Sequence, residues 1–403
     1  MPNQLELNRP CEQRQVFQCY SLFYSAAARY HNRMSSHLRI AITGMAWLTA
    51  LGDDLEPVWQ ALLNGKTGMK PVAYDGRLRN MLAAPAMDAD IPPSERLVKI
   101  TCATIRKALA LANREPGDPE VRFILSTSLG AYLDDENSRT PLSGWARNVM
   151  RELGATTPPI VISTACSSGS DAILVGAELI RSGVAKCCVC GGADVLTPNK
   201  RLAHSALGTM SPTHLRAFDI RHDGTLLGEG AGFIVLETET QKKPIHAILS
   251  GAGSANDASG MTVADITGLS AGYAMQRSLA DANLPLSAIG LINAHGSGTV
   301  MNDTTESNAF AALFVGSSRP LVFATKGNFG HTLGATGAIE AIASILAMRE
   351  GRVPPIFGLE QPLPDFPLPL AISQPTPCTS KAALSLTLGF GGFDTSLIFE
   401  AVS

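Results

Sequence analysis

Ten short, mainly apolar runs punctuate the chain, at positions 39–43, 122–126, 160–163, 187–190, 233–237, 245–250, 289–294, 321–325, 383–388 and 396–400. Each is too short for a helix and is bounded by Gly, Pro or polar residues, which predicts a buried strand. Longer helical stretches alternate with them, so the pattern predicts an α/β architecture. Two helical stretches stand apart. One opens at Cys166 and ends near Gly183, the other opens at His331 and ends near Gly351, and both carry Ala, Ile, Leu and Gly on every side. A helix that is apolar all round is buried. The pair is therefore expected to run back to back through the molecular centre, with the two N-termini sharing one pocket.

The pattern also echoes itself. RIAITGMA at 39–46 resembles HAILSGAG at 246–253, and FILSTSLG at 123–130 resembles LINAHGSG at 291–298. The first central helix leads to KCCVCGG and the second to LSLTLGFGG. This suggests a duplication with halves at 39–240 and 241–403, preceded by an N-terminal extension at 1–38. The Pro-rich run Gln361 to Pro377 predicts an extended surface segment.

Composition narrows the picture. A chain of 403 residues that is 45% hydrophobic can bury one large core or two fused ones. A charged fraction of 17% is low for a chain exposing much surface as a monomer and points to a sizeable subunit interface. The net charge of −3 offers no electrostatic reason to bind nucleic acid. No run of 18 apolar residues occurs, so no membrane span is expected. Val16 to Ala28 is moderately apolar, but Glu6 and Glu12 offset Arg9 and Arg14, and Gln18 and Cys19 interrupt it, which argues against a signal peptide. The eight cysteines lack the spacing of a disulfide framework, in keeping with a reducing cytoplasm. Cys187, Cys188 and Cys190 sit in a short apolar strand with no second ligand pair at zinc spacing, so they are read as small buried hydrophobes and no metal is expected.

The candidate chemistry lies in three Gly-rich strings. STACSSGSDAI places Cys166 between a strand and the positive end of a helix, where a thiolate is favoured. NAHGSGT and KGNFGHTLGATG each present a histidine, His295 and His331, at an element end. Any one of these residues alone is more readily a core residue; together they form a nucleophile with two imidazoles. His204, His214, His222 and His246 lack such a context and are read as structural or surface residues. GEGAG at 228–232 and GATG at 334–337 lack the strand and the later acidic residue of a dinucleotide fingerprint, so packing roles are expected and no cofactor.

With Cys, His and His in that order, separated by 129 and 36 residues and accompanied by GEGAG and GFGG at 389–392, the chain from about Arg39 onward resembles the β-ketoacyl-acyl carrier protein synthases of the thiolase-like superfamily, in their elongating Cys-His-His form. The resemblance implies a duplicated five-layer α-β-α-β-α fold and a decarboxylative Claisen condensation in fatty acid, polyketide or aryl polyene biosynthesis. Cys166 would carry the acyl group, and His295 and His331 would stabilise the enolate of malonyl-acyl carrier protein. The N–H groups of Cys166 and Phe390 would cradle a second oxyanion, one such donor being worth roughly 3–4 kcal/mol. Phe390 would gate the acyl side, while Lys326 and Glu340 would order the network around the histidines. The partner implied is an acidic acyl carrier protein, with Arg96, Lys99, Lys200 and Arg201 matching regions where relatives meet it. The assembly implied is a homodimer, or a heterodimer with a second ketosynthase-like subunit.

Three departures from the family pattern bear on substrate. HDGT at 222–225 replaces the usual Arg-Asp-Gly-Phe run, GFGGFD at 389–394 replaces GFGGTN, and the stretch from Arg39 to Cys166 is short in the region that covers the acyl tunnel and dimer contact. The second departure implies a change in pocket polarity. Two other readings stay open: a non-catalytic partner resembling a chain-length factor, which usually lacks the nucleophile, and a coenzyme A-dependent thiolase-like acyltransferase, which would want a second Cys near GFGG, where this chain has Phe390.

Overall fold

The computed structural model describes residues 38–74, 76–134, 141–239, 243–316 and 319–402. The extension expected before residue 38 and the apolar stretch at 16–28 lie outside the described residues. The elements in chain order are β1 (Ile40–Leu48), α1 (Leu55–Leu63), β2 (Lys70–Pro71), β3 (Leu82–Ala83), α2 (Pro93–Leu111), β4 (Val121–Ser126), α3 (Gly144–Leu153), β5 (Ile160–Ile162), α4 (Ser168–Arg181), β6 (Cys187–Asp194), α5 (Pro198–Ala206), β7 (Gly230–Thr238) and β8 (Ala247–Asn256). They continue as α6 (Leu269–Ala282), β9 (Leu291–Asn293), α7 (Val300–Leu313), β10 (Leu321–Phe323), α8 (Lys326–Phe329), α9 (Thr336–Glu350), β11 (Arg352–Val353), β12 (Thr376–Pro377), β13 (Ala382–Gly389) and β14 (Phe393–Glu400).

All ten strands expected from the apolar runs enter one sheet, ordered β10-β9-β13-β14-β8-β1-β7-β6-β4-β5. Outward from the β8–β1 junction the two sides have the same construction. β1–β7 and β7–β6 are antiparallel while β6–β4 and β4–β5 are parallel. β8–β14 and β14–β13 are likewise antiparallel, and β13–β9 and β9–β10 parallel. The sides are joined by three residue pairs, Ile40↔Leu249 to Ile42↔Ala247. Cys187, Cys188 and Cys190 are fully buried in β6.

Helices sort into layers around this sheet. α2 covers β1, β6 and β7 on one outer side, and α6 covers β8 and β14 on the other. Between the half-sheets lie α4, against β4, β6 and β7, and α9, against β7, β9 and β13. The outcome is five layers with α4 and α9 in contact at the centre; the expected all-round burial holds for α9 and is corrected for α4, which leaves Glu178 exposed and Leu174, Val175 and Leu179 half-buried. Every residue of α9 from Thr336 to Met348 is buried. Close approach depends on two glycines: a Cβ at Gly337 would stand 2.0 Å from Ser170 Oγ, and one at Gly169 would stand 2.9 Å from Ala338 N.

Neither central helix begins where the pattern placed it. A 3-10 turn intervenes in each case, Ala165–Ser167 before α4 and Leu333–Ala335 before α9. Cys166 and His331 therefore belong to the approach to the helices and not to their first turns. The Pro-rich segment is partly anchored: Val322 of edge strand β10 donates to Pro369 O at 2.8 Å, and Ala371 donates back to Val322 O at 2.9 Å.

Candidate active site

The turn that carries the thiol is over-determined. Ala165 has φ +52 and Leu333, at the matching place before α9, has φ +49. A left-handed residue with a Cβ costs on the order of 1–2 kcal/mol. Asp171 holds the first turn by accepting from Thr164 Oγ1 at 2.5 Å, Ser167 Oγ at 2.8 Å and Thr395 Oγ1 at 2.5 Å, tying both flanks of Cys166 to β14. Asp194 holds the second, accepting from Gly334 N at 3.0 Å and from Ser128 N at 2.9 Å, with the Lys200 ammonium as its counter-charge. These contacts join segments far apart in sequence.

Cys166 is 5% exposed. Burial pushes its thiol up to about 11, against the opposing pull of the Lys326 charge and the Phe390 N–H, which donates toward the sulfur. The expectation of a thiolate-favouring helix end is therefore corrected: the sulfur rests as a thiol, because desolvation outweighs the positive groups around it.

His331 meets this sulfur, and His295 stands against His331 on the same cavity. His331 Nε2 lies 3.1 Å from Cys166 Sγ, and the His295 and His331 ring centroids are 5.3 Å apart at an interplanar angle of 83°. Burial and the Lys326 charge hold both rings well below the usual histidine range, so both are neutral. Their tautomers follow from their partners. Leu333 N–H donates to His331 Nδ1 at 3.2 Å, and the Lys326 ammonium lies 3.2 Å from His295 Nδ1. A nitrogen that accepts carries no proton, so each ring keeps its hydrogen on Nε2. The pair thus offers two N–H donors to one cavity.

Behind the rings, Lys326 Nζ also donates to His295 O and to Glu340 Oε1, the latter at 2.6 Å. Glu340 is pushed up to about 7 by burial in spite of that cation. The His295 backbone is held separately, with its N–H and that of Gly296 each donating at 2.7 Å to Glu306, which burial pushes up to about 8. Glu306 was missed in the sequence, since nothing in its α7 spacing distinguishes it from a surface acid.

Cys166, His295, His331 and Phe390 line a single cavity of about 410 Å³. Lys326 and Glu340 stand behind its wall, in keeping with a supporting place. His204, expected to be structural or on the surface, also lines it and stacks on Phe390 with centroids 5.9 Å apart and planes 17° apart. Its ring is neutral, pushed down to about 4 by burial and the nearby Lys200 charge. GEGAG takes packing roles: a Cβ at Gly228 would stand 2.1 Å from Phe329 O.

Three of the four residues expected at a carrier surface are internal. Arg96 is 5% exposed and bonds Glu229 Oε2 at 3.1 Å and Ile91 O at 3.0 Å. Lys200 is buried on Asp194 and Val195 O, and Arg201 is buried on Val72 O at 3.0 Å and Met81 O at 2.9 Å. Each satisfies loop carbonyls or a buried acid, and none can reach a partner. Lys99 alone is on the surface, paired with Glu95 at 2.6 Å on α2. Among the described residues no helix is long and apolar enough to cross a membrane, and no group of three His, Cys, Asp or Glu is placed to hold a metal ion.

Known proteins share this fold. The chain matches the family model of the beta-ketoacyl synthase N-terminal domain over residues 137–242 and that of the C-terminal domain over 246–360. It is 29% identical to a 3-oxoacyl-[acyl-carrier-protein] synthase 2 of Synechocystis sp., covering 90% of this chain and 98% of the relative. It is also 29% identical to the protein of that name from Mycobacterium tuberculosis, covering 89% and 96%. Among solved structures it is similar to the ishigamide ketosynthase/chain length factor, with TM-score 0.83 and 26% identity over 91% of this chain and all of that one. A beta-ketoacyl synthase from Burkholderia phymatum gives TM-score 0.79 and 29% identity over the same shares. A type II PKS acyl-carrier protein in complex with its ketosynthase bound to the hexaketide gives TM-score 0.83 and 25% identity, again over 91% of this chain. With both domain models matched in order around a buried thiol and two neutral imidazoles, the chain belongs to the beta-ketoacyl synthase family.

Proposed function

We propose that this chain is a 3-oxoacyl-[acyl-carrier-protein] synthase that extends a Cys166-bound acyl group by decarboxylative condensation with malonyl-acyl carrier protein, in fatty acid, polyketide or aryl polyene biosynthesis. The observation that carries the reading is the convergence of Cys166 Sγ and two Nε2–H donors in one cavity.

Cys166 attacks the incoming acyl thioester, its sulfur losing a proton as the carrier thiol gains one. Malonyl thioester then loses carbon dioxide, and the electrons of the broken C–C bond pass to the thioester oxygen. The Nε2–H groups of His295 and His331 meet that oxygen as it becomes an enolate. Neutral donors suit the step, because an imidazolium would be costly in a buried site and could quench the carbanion by proton transfer. The carbanion forms the new C–C bond at the acyl carbonyl, whose oxyanion is held by the N–H groups of Cys166 and Phe390. Collapse expels the Cys166 sulfur as a thiolate, which takes a proton from water to restore the resting thiol. Lys326 and Glu340 are positioning residues that fix the His295 tautomer.

The proposed partner is an acyl carrier protein, with exposed Lys99 the remaining basic candidate of the four. The proposed assembly is a homodimer or a heterodimer with a second ketosynthase-like subunit, and the halves 39–240 and 241–403 are proposed as a duplication. A non-catalytic partner role is disfavoured by the retained thiol and both donors.

Intact-protein mass spectrometry after mixing with a panel of acyl-carrier thioesters tests the assignment. An acyl adduct that vanishes in Cys166→Ala is expected, with carbon dioxide released once malonyl-carrier is added. If no donor leaves an adduct, the non-catalytic reading replaces this one.

A further inference from the structure

Cavities that receive a plain alkyl chain are lined by groups with no unmet hydrogen-bonding capacity, since an apolar chain would leave any polar group unpaired. The cavity beside Cys166 departs from that. Four aspartates line it, Asp223, Asp257, Asp265 and Asp394, and no Lys or Arg does so among the described residues. Three of the four are occupied. Asp223 accepts from Ser211 Oγ at 2.5 Å, Asp257 from Ser259 N at 2.8 Å and Asp265 from Thr267 N at 2.9 Å, each bond shaping a loop.

Asp394 is different. It is only 4% exposed, and the one side-chain donor toward it among the described residues is the Ser270 hydroxyl at the start of α6. That hydroxyl has no other partner among the described residues, and the buried hydroxyl of Thr225 on the same cavity has none among them at all. Burial, reinforced by the charges of Asp257, Asp265 and Asp171, pushes Asp394 up to about 7. Among the described residues this carboxyl thus lacks both a cation and a full set of donors.

Its place in the fold ties it to the chemistry. Gly389 pairs with Phe393 and Leu388 with Asp394, so Asp394 leaves the tight turn whose Phe390 N–H points at the Cys166 sulfur. The next residue, Thr395, bonds Asp171, which clamps both flanks of Cys166.

We propose that Asp394, with Ser270, forms a recognition site for a hydrogen-bond donor on the acyl chain, so that the enzyme takes hydroxyl- or amino-bearing acyl groups in preference to plain alkyl ones. The inference rests on the ketosynthase reading and deepens it. Asp394 is here a specificity residue that contacts substrate away from the reacting carbon. Sites built to hydrogen-bond a substrate group discriminate strongly against the analogue that lacks it.

The test offers the full-length protein equimolar pantetheine thioesters of equal chain length, one alkyl, one hydroxyl-bearing and one amino-bearing, and reads adducts on Cys166 by intact mass. A preference of at least about tenfold for a donor-bearing chain over the alkyl chain is expected, and the favoured arm names the donor as hydroxyl or amine. Asp394→Leu is expected to cut that preference by at least about tenfold, with Asp394→Asn between the two. Equal loading, or an alkyl preference, in the wild-type protein overturns the Asp394 site while leaving an acylated Cys166 and the ketosynthase reading intact. Absence of any adduct overturns both. Because the wild-type protein decides the preference, a variant that fails to fold does not remove the test.

Discussion

At the scale of single residues, the site is governed by desolvation. The Cys166 thiol is displaced from 9.0 to about 11, which corresponds to roughly 3 kcal/mol against the charged form. A helix N-terminus contributes typically 0.3–1 kcal/mol, up to about 2 when partly buried, so it softens the penalty without reversing it. Both histidines stay neutral down to well below their ordinary range, so across neutral pH the thiol alone sets the charge of the trio. A consequence is measurable. Alkylation of Cys166 by iodoacetamide should rise close to tenfold per pH unit from about pH 6 to about pH 9, with no plateau, because the thiolate fraction grows that way below the thiol's pKa. A rate that levels off by about pH 8 would mean that the helix end and Lys326 prevail after all.

At the scale of elements, the central contact between α4 and α9 sets what the sequence can tolerate. Ala at Gly337 gains up to about 1 kcal/mol of helix propensity. Its Cβ would stand 2.0 Å from Ser170 Oγ and 2.7 Å from Ser170 N, and overpacking of this kind costs typically 1–3 kcal/mol. Overpacking should win, so Gly337→Ala is expected to lower unfolding free energy by about 1–2 kcal/mol in a urea titration, and an unchanged midpoint would show that the helices can separate freely. The same helices show why much of this molecule was legible. The all-apolar circumference of α9 has one physical solution, burial on every side, and ten apolar runs had one too, so strands such as Cys187–Asp194 and Ala382–Gly389 fell where the pattern put them. What the pattern could not carry was partnership across the chain. Arg96 looks like a surface cation until Glu229, far downstream, closes on it. His204 looks like an ordinary polar residue of α5 until the β13–β14 turn brings Phe390 onto its ring. Likewise the 3-10 turns before α4 and α9 depend on Asp171 and Asp194, and neither acid announces that duty in its local spacing.

At the scale of the whole molecule, the two ends of the sheet are treated unequally. Edge strand β10 is covered by the chain at 369–371. Edge strand β5, Ile160-Val161-Ile162, pairs with β4 on one side, and no described strand pairs with the other. Ile160 is 41% exposed and its two neighbours are only partly buried. An apolar strand with an open edge is a template for another strand, and natural proteins cover or charge such edges. Among the described residues β5 itself, Ile160-Val161-Ile162, carries no charge and has no strand on that side. The low charged fraction of the chain agrees with a large surface removed from water by a second subunit. The edge is thus expected to be the seam of the proposed dimer, strand against strand. Sedimentation equilibrium of the purified protein should give twice the chain mass, and Ile160→Lys should shift it toward the single-chain mass by placing a charge in the seam. A wild-type protein that sediments as a single chain at micromolar concentration would overturn the homodimer and leave the heterodimer, in which case co-expression with a second ketosynthase-like subunit should recover a complex that Ile160→Lys again weakens.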